Sequence, residues 1–236
     1  ICVTILLMSI FKGLEMPRVI YETESELNGR IRVVDVGKTR RIFVENAVQS
    51  INPDSPACPN LYWGQLVNSL KERLPEISKV LILGMGGGTI AHLISRNYPN
   101  AEIISVEYDE VMIDIAKKFF DIDSVPNHKI INDDALRVVI EPENYGIDLG
   151  SLDVLIVDIL NGEKFPDLGK TGNFITATKR LVKPGGFLVF NRVYTEEYQE
   201  EVNIFIDNLE KYIESVESEV VAGYTNSDNI TIFGKV

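Results

Sequence analysis

Two rhythms of apolar and polar positions divide the chain. From Lys79 onward, short apolar runs alternate with segments whose apolar residues recur at helical spacing. "KVLILG", "AEIISVEY", "HKIIN", "LDVLIVDI" and "GFLVFNRV" read as strands buried on both faces. Between them "TIAHLISRNY", "EVMIDIAKKFF", "DALRVVI" and "NFITATKRLV" read as helices, and "EEYQEEVNIFIDNLEKYI" as a long amphipathic one. Repeated strand–helix units predict a mostly parallel sheet with helices on both faces. "SVESEVVAGY" and "NITIFGKV", around the turn "TNSDN", predict a closing antiparallel hairpin.

Upstream the spacing shortens to that of strands: "VIYETES", "RIRVVDV" and "RRIFVEN", with Asn28-Gly29 a hairpin signal and Gly37 to Thr39 a second turn. The proline-rich loop "QSINPDSPACPN" ends this unit, and "LYWGQLVNSLKERL" follows with Leu61, Leu66, Leu70 and Leu74 at helical positions. The expected organisation is an N-terminal extension over 1–17, a small antiparallel β-domain over 18–58 and a Rossmann-like α/β domain over 59–236. "ICVTILLMSIF" is shorter than the ~20 apolar residues that span a bilayer. It carries no basic segment before it and no small-residue cleavage site after it. It is expected to be a strand or a segment foreign to the fold, with Met8 or Met16 as the natural start.

The 236 residues are 45% hydrophobic and 25% charged, enough for one large domain with an appendage. Two cysteines, Cys2 and Cys58, cannot form a disulfide framework, so a cytoplasmic setting is expected. Two histidines without a Cys or His cluster leave no zinc site to propose. The formal charge of -12 opposes a nucleic-acid partner and favours a cationic small molecule or a basic protein segment, or serves solubility alone.

An open parallel sheet binds ligands beyond the carboxyl ends of its strands, and Gly84, Gly86, Gly87 and Gly88 follow the first of them. A dinucleotide fingerprint needs a third glycine where Thr89 stands, and no Lys-Ser/Thr follows to make a P-loop. What remains is a tight turn that lets a ligand lie against the backbone, or that lets helix and strand pack closely. Glu107 ends the next strand, placed to accept ribose hydroxyls, and Asp109 suits an N-cap. After the third strand Asp134, with Asp133 in competition, suits an adenine amine, and one of the pair suits a helix cap. Asp158 ends the fourth strand. These features favour a sulfonium nucleoside over a dinucleotide. Tyr62 and Trp63 read as pocket wall or as core, His92 as an exposed or packing residue, and Asn191 as a weaker candidate for substrate contact.

The ordered set "RIRVVDVGKTRRIFVENAVQS", "YWGQLV", "LILGMGGGT", "SVEYDEVMIDIAKKFF", "INDDA", "LDVLIVD" and "RLVKPGGFLVFN" resembles the spermidine synthase family and its methyltransferase-like relatives. The resemblance implies a class I methyltransferase-type fold behind a small β-domain that helps close the active site, and a dimer. It implies Gln49, Gly84, Gly86, Gly88, Glu107, Asp133 or Asp134 as donor-binding residues, Asp158 as the catalytic aspartate and Tyr62 as the active-site tyrosine, although Trp63 and Gly64 replace the usual His-Glu. Aminopropyltransferases of the family carry "GGGDGGT" and "DSSDP". Here Gly86 stands at the first acid, and "DILNG" puts Asn161 and Gly162 at the second acid and the proline. Losing two carboxylates tips the expectation toward an S-adenosylmethionine-dependent methyltransferase. The alternatives are an aminopropyltransferase using decarboxylated S-adenosylmethionine, and a non-catalytic nucleoside-binding scaffold.

Overall fold

A computed structural model of the chain describes residues 16–160, 171–223 and 228–236. Most of the N-terminal extension, with Met8, therefore lies outside the described residues, as do Asn161 and Gly162. Among the described residues no helix is long and apolar enough to cross a membrane.

Strands β1 (Arg18–Ser25), β2 (Gly29–Val36), β3 (Thr39–Val44) and β4 (Ala47–Ile51) form an antiparallel sheet in sequence order. The fourth strand corrects the sequence reading, which assigned Gln49 and Ser50 to the proline-rich loop. Only from Asn52 does the loop begin, and Asn52 N–H still bonds the Arg40 carbonyl. Helix α1 (Tyr62–Arg73) leads into the second sheet.

That sheet contains β5 (Lys79–Leu83), β6 (Glu102–Glu107), β7 (His128–Asn132), β8 (Leu152–Val157), β9 (Val182–Val193), β10 (Ser215–Val221) and β11 (Asn229–Lys235). Their order is β10-β11-β9-β8-β5-β6-β7, parallel from β7 to β9 and antiparallel where β11 meets β9 and β10. The chain leaves β5 toward β6 on one side and later returns to β8 on the other. The crevice between these departures faces the carboxyl ends of β5 and β8, where ligands of such sheets lie.

Helices α2 (Thr89–Asn97), α3 (Glu110–Phe120), α4 (Ala135–Ile140), α5 (Gly172–Lys179) and α6 (Gln199–Leu209) cover both faces. Under α1 and α2, Leu66, Leu70 and Ile94 pack on Val80 and Ile82. On the opposite face Val138, Phe174 and Phe205 pack on Leu81, Leu83 and Leu155. Strands β5 and β8 are therefore apolar at successive positions, as burial on both sides demands. A third cluster joins Ile31, Val33, Ile42 and Val44 of the small sheet to Met112, Ile115 and Phe120 of α3. Arg40 adds a hydrogen bond from Nη1 to the Phe119 carbonyl, 3.0 Å. The small sheet is thus seated on α3 through an apolar face.

Two further readings are corrected. Pro184-Gly185-Gly186 does not precede the fifth strand. β9 already begins at Val182, and the register jumps from Leu152↔Val182 to Val154↔Phe187, leaving the Pro-Gly-Gly segment as a bulge within the strand. The last helix is also shorter than its amphipathic pattern, because Thr195 to Tyr198 form a turn before α6 and the chain turns again after Leu209.

Candidate functional site

A cavity of about 330 Å³ lies across the ends of β5, β6 and β8, and Leu27 and Asn28 of the β1–β2 turn reach its edge. The glycine turn after β5 answers to two sets of neighbours. Gly84 and Gly86 line the cavity. On its other side the turn meets the small sheet: a Cβ on Gly86 would stand 2.8 Å from Ser50 Oγ, and one on Gly87 2.9 Å from both Ile42 Cδ1 and Ser50 Cβ. Gly86 also has φ +54, a conformation that a side chain disfavours. Ser50 Oγ accepts the Gly87 N–H at 2.7 Å, and Thr89 Oγ1 donates to the Ile51 carbonyl at 2.6 Å. Gly88 lies outside the lining, and a Cβ there would stand 2.2 Å from Ile122 Cδ1.

Glu107 ends β6 under the turn. Its Oε2 accepts the N–H groups of Gly86 at 2.9 Å and Met85 at 3.2 Å, and its Oε1 that of Asp109 at 3.1 Å. Burial raises its pKa, and the Asp109 and Gly86 amides pull it back. Asp109 caps α3 as expected, accepting Val111 N–H at 2.9 Å. Its second oxygen accepts Ser25 Oγ and Asn28 Nδ2, at 2.5 and 2.6 Å. That second function was missed. The Asn28-Gly29 signal announces a turn but not the carboxylate that the turn reaches.

Asp133 and Asp134 both line the cavity, and the structure separates them. Asp134 Oδ1 caps α4 through Leu136 N–H at 2.8 Å. Asp133 accepts Asp134 N–H at 2.8 Å and Tyr145 OH at 2.6 Å, with Arg137 at 3.4 Å. The Tyr145 hydroxyl is the main cause of its lowered pKa.

Asp158 follows β8 and is held from two sides. Tyr62 OH on α1 donates to Oδ2 at 3.2 Å, and Asn191 Nδ2 on β9 to Oδ1 at 2.7 Å. Burial pushes the Asp158 pKa up to about 6, against the lowering by those two donors. The Tyr62 hydroxyl is pushed well above its ordinary range, by burial first and by the Asp158 carboxylate second. Tyr62 serves both of its readings: it lines the cavity and is buried, its ring 4.1 Å from that of Trp63. Trp63 belongs to the core. His92 is a packing residue with Nε2 2.9 Å from the Phe120 carbonyl. Asn191 is fully buried, so it reaches the cavity only through Asp158. Gln49, at the end of the small sheet, lines the cavity near Gly86. Among the described lining residues five are acidic (Glu107, Asp109, Asp133, Asp134 and Asp158) and none is Lys or Arg.

The strand order, the glycine turn after β5 and an acid after each of β6, β7 and β8 define a Rossmann-like class I methyltransferase fold with an antiparallel sheet in front. Residues 60–235 match the spermine/spermidine synthase domain, and the chain belongs to that family. It is 30% identical over 152 residues to a polyamine aminopropyltransferase of Vibrio vulnificus, covering 64% of this chain and 50% of the relative. It is 27% identical over 205 residues to an eEF1A lysine and N-terminal methyltransferase homolog of Drosophila pseudoobscura pseudoobscura, covering 73% of this chain and 30% of the relative. The chain thus spans half or less of the length of these relatives. In fold it is similar to the spermidine synthase of Thermotoga maritima, with TM-score 0.73, 18% identity, and coverage of 92% of this chain and 72% of that one. Human methyltransferase-like protein 13, solved with SAH, aligns with TM-score 0.58 and 20% identity over 75% of this chain and 80% of that one.

Proposed function

We propose that the chain is a transferase that moves a carbon group from a sulfonium nucleoside to an amine, with S-adenosylmethionine as methyl donor. The observation that carries the transferase reading is Asp158, a half-buried carboxylate gripped by Tyr62 and Asn191 at the switch point of the sheet. The donor supplies an electrophilic carbon on a positively charged sulfur. Glu107 is the acid for its ribose and Asp134 for its adenine amine, with Gln49, Gly84 and Gly86 beside them. Gly88 is left out of this set by its packing on Ile122.

The acceptor amine must arrive as a free base in line with the carbon and sulfur. As its lone pair forms the N–C bond, the C–S bond breaks and its electrons neutralise the sulfonium. The proton shed by the new ammonium passes to Asp158 or through it to water. Alignment of this kind contributes up to ~7–11 kcal/mol, and a positioned base adds a factor of ~10²–10⁴. A carboxylate with a pKa near 6 is ionised at neutral pH and still basic enough to take a proton.

Gly86 favours methyl transfer. A side chain at that position would crowd Ser50 Oγ on β4 and would sit on a backbone with φ +54, which weighs against the carboxylate that holds the amine end of a decarboxylated donor in aminopropyltransferases of the family. One observation supports the aminopropyl reading instead. The described lining has five acids and no Lys or Arg, which suits a donor and acceptor without carboxylates. The same lining underlies the choice of a cationic acceptor, a small amine or a basic protein segment. Calorimetric titration with S-adenosylmethionine and with its decarboxylated form tests the choice. Tighter binding of the carboxylated donor is expected. Preference for the decarboxylated donor would reverse the assignment, and binding of neither would leave a scaffold.

A further inference from the structure

We infer that Asn191 is a positioning residue for Asp158: its side-chain amide, anchored from behind by Asn229, keeps the carboxylate ionised and turned into the cleft. The inference rests on the reading of the cleft given above. Nothing in the sheet itself calls for asparagine at this place. β9 and β11 are paired so that Asn191 stands opposite Thr231, and Asn229 opposite Val193. Farther along the same two strands the corresponding positions are Val189, Phe187 and Phe233, all core residues. Asparagine is a poor strand former, and a fully buried amide is costly unless each polar atom is paired. Asn191 is fully buried. Its pairing is complete in one direction only: Nδ2 donates to Asp158 Oδ1 at 2.7 Å while Oδ1 accepts Asn229 Nδ2 at 3.1 Å.

That order is set by charge. An ionised carboxylate only accepts, so Asn191 must turn its NH₂ toward Asp158 and its carbonyl toward Asn229, which must donate. Hydrogen bonds to an ionised group are the stronger kind, and they favour the ionised form. Of the titratable neighbours, Tyr62 from α1 also donates to the carboxylate, but to the second oxygen and at the longer distance of 3.2 Å, and it lowers the Asp158 pKa less than Asn191 does. The Cys58 thiol acts on Tyr62. Glu107, Asp109, Asp133 and Asp134 face the same cavity from the β6 and β7 side, and all are acids.

The test is a carbon-13 NMR titration of aspartate carboxyls in the whole chain, with the Asp158 signal assigned by its loss in Asp158→Asn. Asn191→Leu is expected to raise the Asp158 midpoint by about one pH unit, a tenfold gain in proton affinity. Asn229→Ala, which leaves the donor but frees its carbonyl, is expected to raise it by about half as much, and decides the matter if Asn191→Leu does not fold. The acidic limb of the rate profile moves up with the midpoint. Unmoved midpoints in folded variants would overturn the inference, even where turnover is normal. Absence of turnover in the unaltered chain, with the midpoint shifted as stated, would strike the transferase reading and leave this one standing.

Discussion

The two sides of the cleft hold their acids differently. On the β6 and β7 side, each carboxylate accepts at least one backbone N–H, mostly of a residue one or two positions on: Asp134 from Leu136, Asp133 from Asp134, Glu107 from Asp109 and Asp109 from Val111, while Asp109 and Asp133 take side-chain donors as well. On the β8 side, the Asp158 carboxylate is held by side chains from 33 and 96 positions away. Backbone donors come with the fold and survive any substitution except proline. Side-chain donors must be brought together across the molecule, and each can be lost singly. The first arrangement suits a ligand bound the same way every time. The second allows a charge to be tuned, and it should be the more sensitive to substitution.

The sharpest break of that contrast is Asp158→Asn. Turnover with the best donor and amine is expected to fall by about 10²–10⁴, the contribution of a positioned base. Stability should move the other way. The folded pKa of about 6 lies above the ordinary 3.8, so between those values the folded chain binds the proton more tightly than the unfolded chain does. Stability is therefore lost as pH rises through that window. The loss is about 3 kcal/mol at most, and less because the carboxylate retains some solvent contact. Thermal melts should show the variant more stable than the parent at pH 8, with the gap closed at pH 4. A variant less stable at both would make the Tyr62–Asp158–Asn191 grip a structural feature.

On the opposite wall the break is Gly86→Asp, which installs the acid that aminopropyltransferases of the family carry. With φ +54 and Ser50 Oγ 2.8 Å from the new Cβ, the substitution overpacks the junction between the two sheets and is expected to cost about 1–3 kcal/mol. Both donors should bind more weakly. Full stability together with a new preference for the decarboxylated donor would remove the Gly86 argument for methyl transfer.

The same contrast accounts for what the sequence made legible. Period and length were enough for the parallel sheet, the closing hairpin and α3, because burial on both faces leaves β5 and β8 apolar but for Lys79 and Asp153 near their starts. The cap at Asp109 was legible because its partner is two residues away. β4 was not, since "AVQSI" is short and runs into the prolines, and its strand character comes from pairing with β3. Nor was Ser50, whose partner is the glycine turn, nor the role of Asn191, a buried amide that looks in sequence like any polar residue at a strand end. What depends on neighbours in sequence was readable. What depends on neighbours in space was not.

The smallest expected effect divides Asp133 from Asp134. Asparagine caps helices as well as aspartate does, so Asp134→Asn keeps the bond to Leu136 N–H and should leave the melting temperature within a degree or so of the parent. It does replace the oxygen left for the donor's adenine amine by an NH₂ group, which cannot accept. A hydrogen bond to a charged group is worth roughly 1.5–3 kcal/mol, so donor affinity should fall by about tenfold or more. Asp133→Asn strikes a carboxylate already occupied by Tyr145 OH and Arg137, and its effect on the donor should stay within about twofold. Calorimetry on the two variants decides the assignment. The reverse order of effects would make Asp133 the adenine acid and reduce Asp134 to a cap.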